Sequence, residues 1–140
     1  MMRLILLLFV TLLFLSACSS DNTSMNVNEE MMMEGTTSIT TYKGDFVSAA
    51  HPTMGMVTIN PEKSILKIKD FKTDSGPLLE MYLATNINAN TYISLGVLKG
   101  LNGDYEYNLP TNIDLDVYKY VTVWCVEFSV NFGHAVLVKN

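Results

Sequence analysis

The chain has 140 residues, 49% of them hydrophobic, and its 9 Lys and Arg against 14 Asp and Glu leave a net charge of −5. That length suits one domain and excludes two of ordinary size, while the acidic balance excludes the basic surface that nucleic acid attracts. The hydrophobic share is inflated by the first 17 residues, which hold one charge, Arg3, and neither Gly nor Pro. Without them the net charge moves from −5 to −6, and no apolar run remains that suits a polytopic membrane protein.

Residues 1–17 are expected to be a lipoprotein signal peptide. Arg3 supplies a positive n-region, and Leu4 to Leu15 form an apolar run of 12 residues broken only by Thr11, short of the ~20 that span a bilayer. Leu15-Ser16-Ala17-Cys18 follows and resembles the bacterial lipobox, whose Cys takes a diacylglyceryl group on sulfur before cleavage on its N-terminal side. Cys18 is therefore the expected lipidation site. Two or three acyl chains there, each contributing ~0.8 kcal/mol per buried methylene, hold a protein at a membrane without crossing it. The expected localisation is the bacterial cell envelope, lipid-anchored, with the rest of the chain outside the cytoplasm and membrane lipid as its first partner.

The segment from Cys18 to Thr41 is expected to be a flexible acidic tether. After Cys18 it has no aromatic, Lys or Arg residue and carries Asp21, Glu29, Glu30 and Glu34, so it buries too little apolar surface to offset its ordering entropy. As a coil of 23 residues it reaches ~25–30 Å on average. Met31-Met32-Met33 offers soft thioethers of the kind that hold Cu(I), but no His or Cys lies nearby, and the trio is assigned to the tether.

From Tyr42 to Asn140 the pattern changes to short β-prone runs divided by turn residues. Strands are predicted at Tyr42–Val47, Gly55–Ile59, Ile65–Phe71, Glu80–Ala84, Tyr92–Leu98, Tyr105–Leu109, Tyr118–Cys125 and Ala135–Val138. Asn60-Pro61 and Asp74-Ser75-Gly76-Pro77 favour turns, and Asn102-Gly103 can supply the positive φ angles of a hairpin. With no sustained helical period, seven or eight short strands predict an all-β domain, an antiparallel sandwich or barrel. Tyr105 with Tyr107, and Tyr118 with Tyr120, fall at strand spacing and are expected to share faces as packing residues.

Val121 to Phe132 carries the most chemistry. Its even positions, Thr122, Trp124, Val126, Phe128, Val130 and Phe132, are nearly all large and apolar. One strand across it points Trp124 inward and Cys125 to the opposite, more polar face, unless a turn near Glu127 resets the alternation. With Cys18 acylated, Cys125 is the one remaining thiol in an exported chain, so no intrachain disulfide forms. It is read either as a small packed hydrophobe or as a redox thiol, a metal ligand or half of an intermolecular disulfide.

Other chemistries fare less well. His51, His134, Met54, Met56 and Cys125 match the ligand inventory of a copper site, and a composite copper or haem site from His51, Met54 or Met56 with Cys125 stays open, but the spacing is not that of a blue-copper loop. His134 beside Gly133 is expected in a loop. Asn112-x-Asp114-x-Asp116 opens like a calcium loop, yet Val117 and Val123 stand where Gly and Glu are required, so a solvated turn is expected. Asp104, Glu106, Asp114, Asp116 and Glu127 could work as paired carboxylates only if the fold gathers them.

Several short motifs in order also resemble a known family. They are Gly44-x-Phe46, His51-x-x-x-Gly55, Leu66-x-Ile68-x-x-Phe71, Gly76-Pro77, Tyr82-Leu83, Leu95-Gly96-x-Leu98-Lys99-Gly100, Gly103-x-x-x-Tyr107-x-Leu109-Pro110, Val123-Trp124-Cys125 and Phe132-Gly133-x-Ala135. Together they resemble the DM-thirteen domain over about Tyr42 to Val138. The resemblance implies an extracytoplasmic all-β module, often joined to haem-binding domains, that serves electron transfer through the Cys after Trp. That role then falls on Cys125, with Trp124 beside it and His51 as a supporting candidate that lowers the thiol pKa or helps ligate. A separate redox partner protein is expected, and an electron-transfer or binding module rather than a stand-alone enzyme. The competing expectation is a non-catalytic adhesion or scaffold module of the cell envelope in which Cys125 is only packed.

Overall fold

The computed structural model describes Ile39 and residues 41–140, and every regular element among them is a β-strand. Nine strands follow in chain order: β1 (Tyr42–Ser48), β2 (Thr53–Ile59), β3 (Ile65–Thr73), β4 (Leu79–Ala84), β5 (Tyr92–Val97), β6 (Asn102–Asn108), β7 (Tyr120–Cys125), β8 (Val130–Val136) and the two-residue β9 (Val138–Lys139). All pairings are antiparallel, in the order β5-β4-β7-β8-β1-β2-β3-β6, with β9 added to β1. The all-β expectation holds. The sheet curls around one core, barrel-like, because inward residues of every strand from β1 to β8 belong to, or pack against, a single apolar cluster.

Alternation sets that curl. On β1, Tyr42 and Phe46 point in while Lys43, Asp45 and Val47 point out; on β3, Leu66, Ile68 and Phe71 are sealed while Lys67, Lys69 and Lys72 face solvent. Burying side chains such as Phe71, Ile68 and Leu83 contributes about 1.5–3 kcal/mol each and fixes the register, since a one-residue slip would put the lysines inside. Bulges between Met54 and Met56, Ile68 and Phe71, Glu80 and Tyr82, and Val123 and Trp124 add the local twist that bends the sheet. Three of them use special backbone: Gly55 at φ 131°, Gly96 at φ 101° and Asp70 at φ 51°, the last donating its N–H to Asp104 Oδ1 at 2.9 Å. Where β8 crosses over β2, a side chain at Gly133 would collide with Thr53.

The turns answer to their residues unevenly. Asn60 closes the β2–β3 turn as expected, its Oδ1 accepting from Ser64 N–H at 2.9 Å and Ile65 N–H at 2.8 Å. Asn102-Gly103 does not make a hairpin. Both residues begin β6, which pairs with β3 rather than β5, and the positive φ of Gly103 serves a strand next to a bulge. The run from Val121 to Phe132 is two strands, not one, because residues 126–129 turn and β8 begins at Val130. Tyr118 precedes β7 and packs on the main core, whereas Tyr120 lies on the outer face, so the two do not share a strand face; Tyr105 and Tyr107 do. Among the described residues no helix is long and apolar enough to cross a membrane.

Candidate functional site

The loops after β1, β3, β5 and β7 meet at one end of the barrel, and Cys125, the last residue of β7, lies at that end. Its Cα is registered opposite Leu79 of β4 on one side and Val130 of β8 on the other. Leu79 carbonyl accepts from Leu98 N–H at 2.8 Å and Leu78 carbonyl from Val126 N–H at 2.9 Å, which ties the β3–β4, β5–β6 and β7–β8 connections together. Phe132 fills the space beside them: the Gly76 backbone passes so close that a Cβ there would sit 2.9 Å from both its ring and Leu79. On the other side the His51 ring stacks on Phe132, with centroids 3.8 Å apart at 26°. His51 Nδ1 lies 3.1 Å from Asp74 Oδ2, so the β1–β2 and β3–β4 loops are joined by this pair. Segments far apart in the chain, around His51, Gly76-Pro77, Leu98, Cys125 and Phe132-Gly133, thus form one assembly.

The orientation of Cys125 is the main correction to the sequence expectation. Val121, Val123 and Cys125 form the inward set of β7, and Cys125 has 0% exposure within the main core. Trp124 points the other way, half-buried on the outer face. The expected alternation fails because the apolar even positions were taken across a hairpin, and because the outer face carries its own apolar cover. Cys125 is a free thiol packed among hydrocarbon.

Other residues from the sequence stand apart. Met54 and Met56 project from the outer side of β2, 57% and 44% exposed, while Cys125 points into the core from β7, with β8 and β1 between. His51 is held by Asp74 and Phe132. These residues do not fit a haem or copper site together, and no group of three or more His, Cys, Asp or Glu among the described residues could hold a metal ion. His134 lies in β8, not in a loop. The acids are dispersed: Asp104 pairs with Lys69 at 3.2 Å, Glu106 with Lys67 at 2.8 Å and Asp116 with Lys139 at 2.7 Å. Those neighbours hold two carboxyls below the usual range, Asp104 through the Asp70 N–H and Lys69, Asp116 through Lys139. Asp114 Oδ1 caps its own turn by accepting from Asp116 N–H at 3.0 Å, as a solvated turn requires. Cys18, Met31 to Met33 and the tether apart from Ile39 and Thr41 lie outside the described residues, and Thr41, assigned to the tether, is instead bonded through its backbone to Asn140.

The outer face of β5, β4, β7 and β8 holds a cluster that chain-order reading missed. The Tyr82 and Tyr92 rings stack with centroids 4.1 Å apart at 11°, and Tyr82 and Trp124 lie 6.1 Å apart at 21°. Burial, then the neighbouring Tyr92 and Glu80, push the Tyr82 phenol far above its ordinary pKa, so it stays protonated. The β4–β5 loop folds over this face: Ala89 is buried against Tyr82 and Ala84, and Ile87 carbonyl accepts from Asn131 Nδ2 at 2.9 Å. Asn131 Nδ2 also lies 3.3 Å from His134 Nδ1, and burial lowers the His134 pKa, favouring the neutral ring. Between these groups Thr122, with 0% exposure, has no hydrogen-bond partner for Oγ1 among the described residues. Trp124, Tyr82 and Tyr120 each stood out in the sequence, but not as neighbours; strand pairing brings them together.

A family model described as "Electron transfer DM13" matches residues 45–137, which includes every segment of the assembly around Cys125. No curated protein and no solved structure matches the chain.

Proposed function

The chain belongs to the DM13 electron-transfer family, and we propose that its domain passes single electrons outside the cytoplasm with the Cys125 sulfur as the redox group. What supports this reading is convergence: the family-like segments at His51, Gly76-Pro77, Leu98, Trp124-Cys125 and Phe132-Gly133 meet at the end of the barrel where β7 stops at Cys125. The burial of that thiol restricts the chemistry. Thiol–disulfide exchange and intermolecular disulfides require one sulfur to attack another, and a sulfur with 0% exposure cannot be reached. Electrons do not need that contact, so the exchange runs through the protein to a separate redox partner. Voltammetry of the full chain in detergent tests this: a wild-type wave that is lost in Cys125→Ala is expected, and an unchanged wave in that variant overturns it.

The same burial favours a second reading, an adhesion or scaffold module of the envelope in which Cys125 only packs. Under it Cys125→Ala lowers stability on the scale of a small cavity and leaves partner binding and redox behaviour untouched.

The location belongs to the proposal too. The apolar run before Leu15-Ser16-Ala17-Cys18 and the acidic segment after it support a domain tethered to a membrane by acylated Cys18. Metabolic labelling with a radioactive fatty acid is expected to mark the wild type and not Cys18→Ser. Equal labelling of both would remove the anchor from the reading.

A further inference from the structure

Trp124, Tyr82 and Tyr92 form one continuous stack across the outer face of β7, β4 and β5. The register produces it: Trp124 lies opposite Glu80 and Tyr92 opposite Ala84, so Tyr82, between those two positions on β4, meets both rings diagonally. Exposure is lowest in the middle of the stack and higher at both ends. Tyr82 is 3% exposed, Trp124 is half-buried, and Tyr92, at 48%, is the exposed member of the seven tyrosines. Phenylalanine would also offer an aromatic face at each place. The phenols and the indole differ from it in giving up single electrons to strong one-electron oxidants, and their contact lets a vacancy in one ring be filled from the next. The Trp124 end adjoins the core through the backbone, since Trp124 is joined by one peptide bond to the sealed Cys125.

We propose that this stack is the port through which the domain exchanges electrons, with Tyr92 as the contact point for a partner carrying a one-electron metal oxidant and Trp124 as the inner end. The proposal rests on reading the domain as an electron-transfer module. The oxidised metal takes one electron from Tyr92, whose phenol proton leaves to water, giving a neutral tyrosyl radical and the reduced metal. Tyr82 gives an electron to that radical, which regains a proton from water, while the proton of Tyr82 passes to the Glu80 carboxylate beside it. An electron from Trp124 then refills Tyr82, which takes its proton back from Glu80, while the indole N–H proton leaves to water and a neutral indolyl radical remains on half-buried Trp124. The reverse sequence carries electrons outward to inward.

Flash oxidation of the full chain in detergent by photogenerated tris(bipyridine)ruthenium(III) tests the port, with radicals read by transient absorption and electron paramagnetic resonance. The chain has 1 Trp, so an indole radical reports Trp124 without ambiguity. The double variant Tyr82→Phe, Tyr92→Phe keeps both rings and removes only the oxidisable phenols. Its Trp124 radical yield is expected to fall at least about tenfold, while Tyr118→Phe, outside the stack, matches the wild type. A double variant with wild-type yield overturns the port; if Cys125→Ala still abolishes the voltammetric wave, the electron-transfer reading stands without it. Loss of the indole radical in the double variant supports the port even where Cys125→Ala leaves the wave unchanged, and the role of Cys125 then fails alone.

Discussion

The two faces of β4, β7 and β8 are both apolar, but they are built on different terms. Inside, Leu83, Val121, Val123 and Cys125 meet side chains from across the barrel and are sealed to 0% exposure by contacts among hydrocarbon. Outside, Tyr82, Tyr120 and Trp124 are sheltered by one another and by the loop that carries Ala89, and the shelter includes polar groups without full hydrogen bonding. The inner face therefore holds the fold, and the outer face tolerates chemistry that a close-packed core would not. For electron transfer the difference matters because Trp124 and Cys125, adjacent in the chain, belong one to each face.

Two substitutions sharpen the contrast, the larger on the inside. Phe71→Ala removes a fully sealed ring that packs edge-on against Phe46 at 5.5 Å and is expected to cost about 3–5 kcal/mol in denaturant unfolding. A loss within the range of a surface substitution would mean that the inner face is not the load of the fold. On the outer face Thr122→Val keeps the shape and deletes a buried hydroxyl with no partner among the described residues. It is expected to raise stability by about 1 kcal/mol, measured the same way. A loss instead would show that the hydroxyl is hydrogen-bonded and that the outer cluster is packed as strictly as the core.

The sequence made most strands legible because they have a local signature, although β8 was expected only from Ala135 and β9 not as a separate strand. Alternation in Tyr42 to Val47 and Ile65 to Phe71, and the side-chain chemistry of Asn60, are properties of neighbours in the chain. The candidate site was half legible. Cys125 and Trp124 stood out as a lone thiol and a lone indole, but their facing depended on whether residues 126–129 turn, and apolar Val126 and Phe128 within that turn hid the break. Phe128 is 71% exposed there. Tyr82 and Tyr92 could not be paired in advance: the residues between them supply a loop that reads as a surface connection, and the diagonal contact follows only from the register of β4 on β5 and β7. Gly103 misled for the same reason, since its partner strand is β3 and not the preceding one.

The strand β9 has a consequence for how this domain can be carried. It pairs Lys139 with Tyr42 and Val138 with Lys43, and Thr41 carbonyl accepts from Asn140 N–H at 2.9 Å. The described chain therefore enters and leaves at a single clasp, like the two ends of a closed buckle. A module fastened in this way can be threaded between other modules without pushing them apart, because its insertion adds a bead to the string and hardly any length.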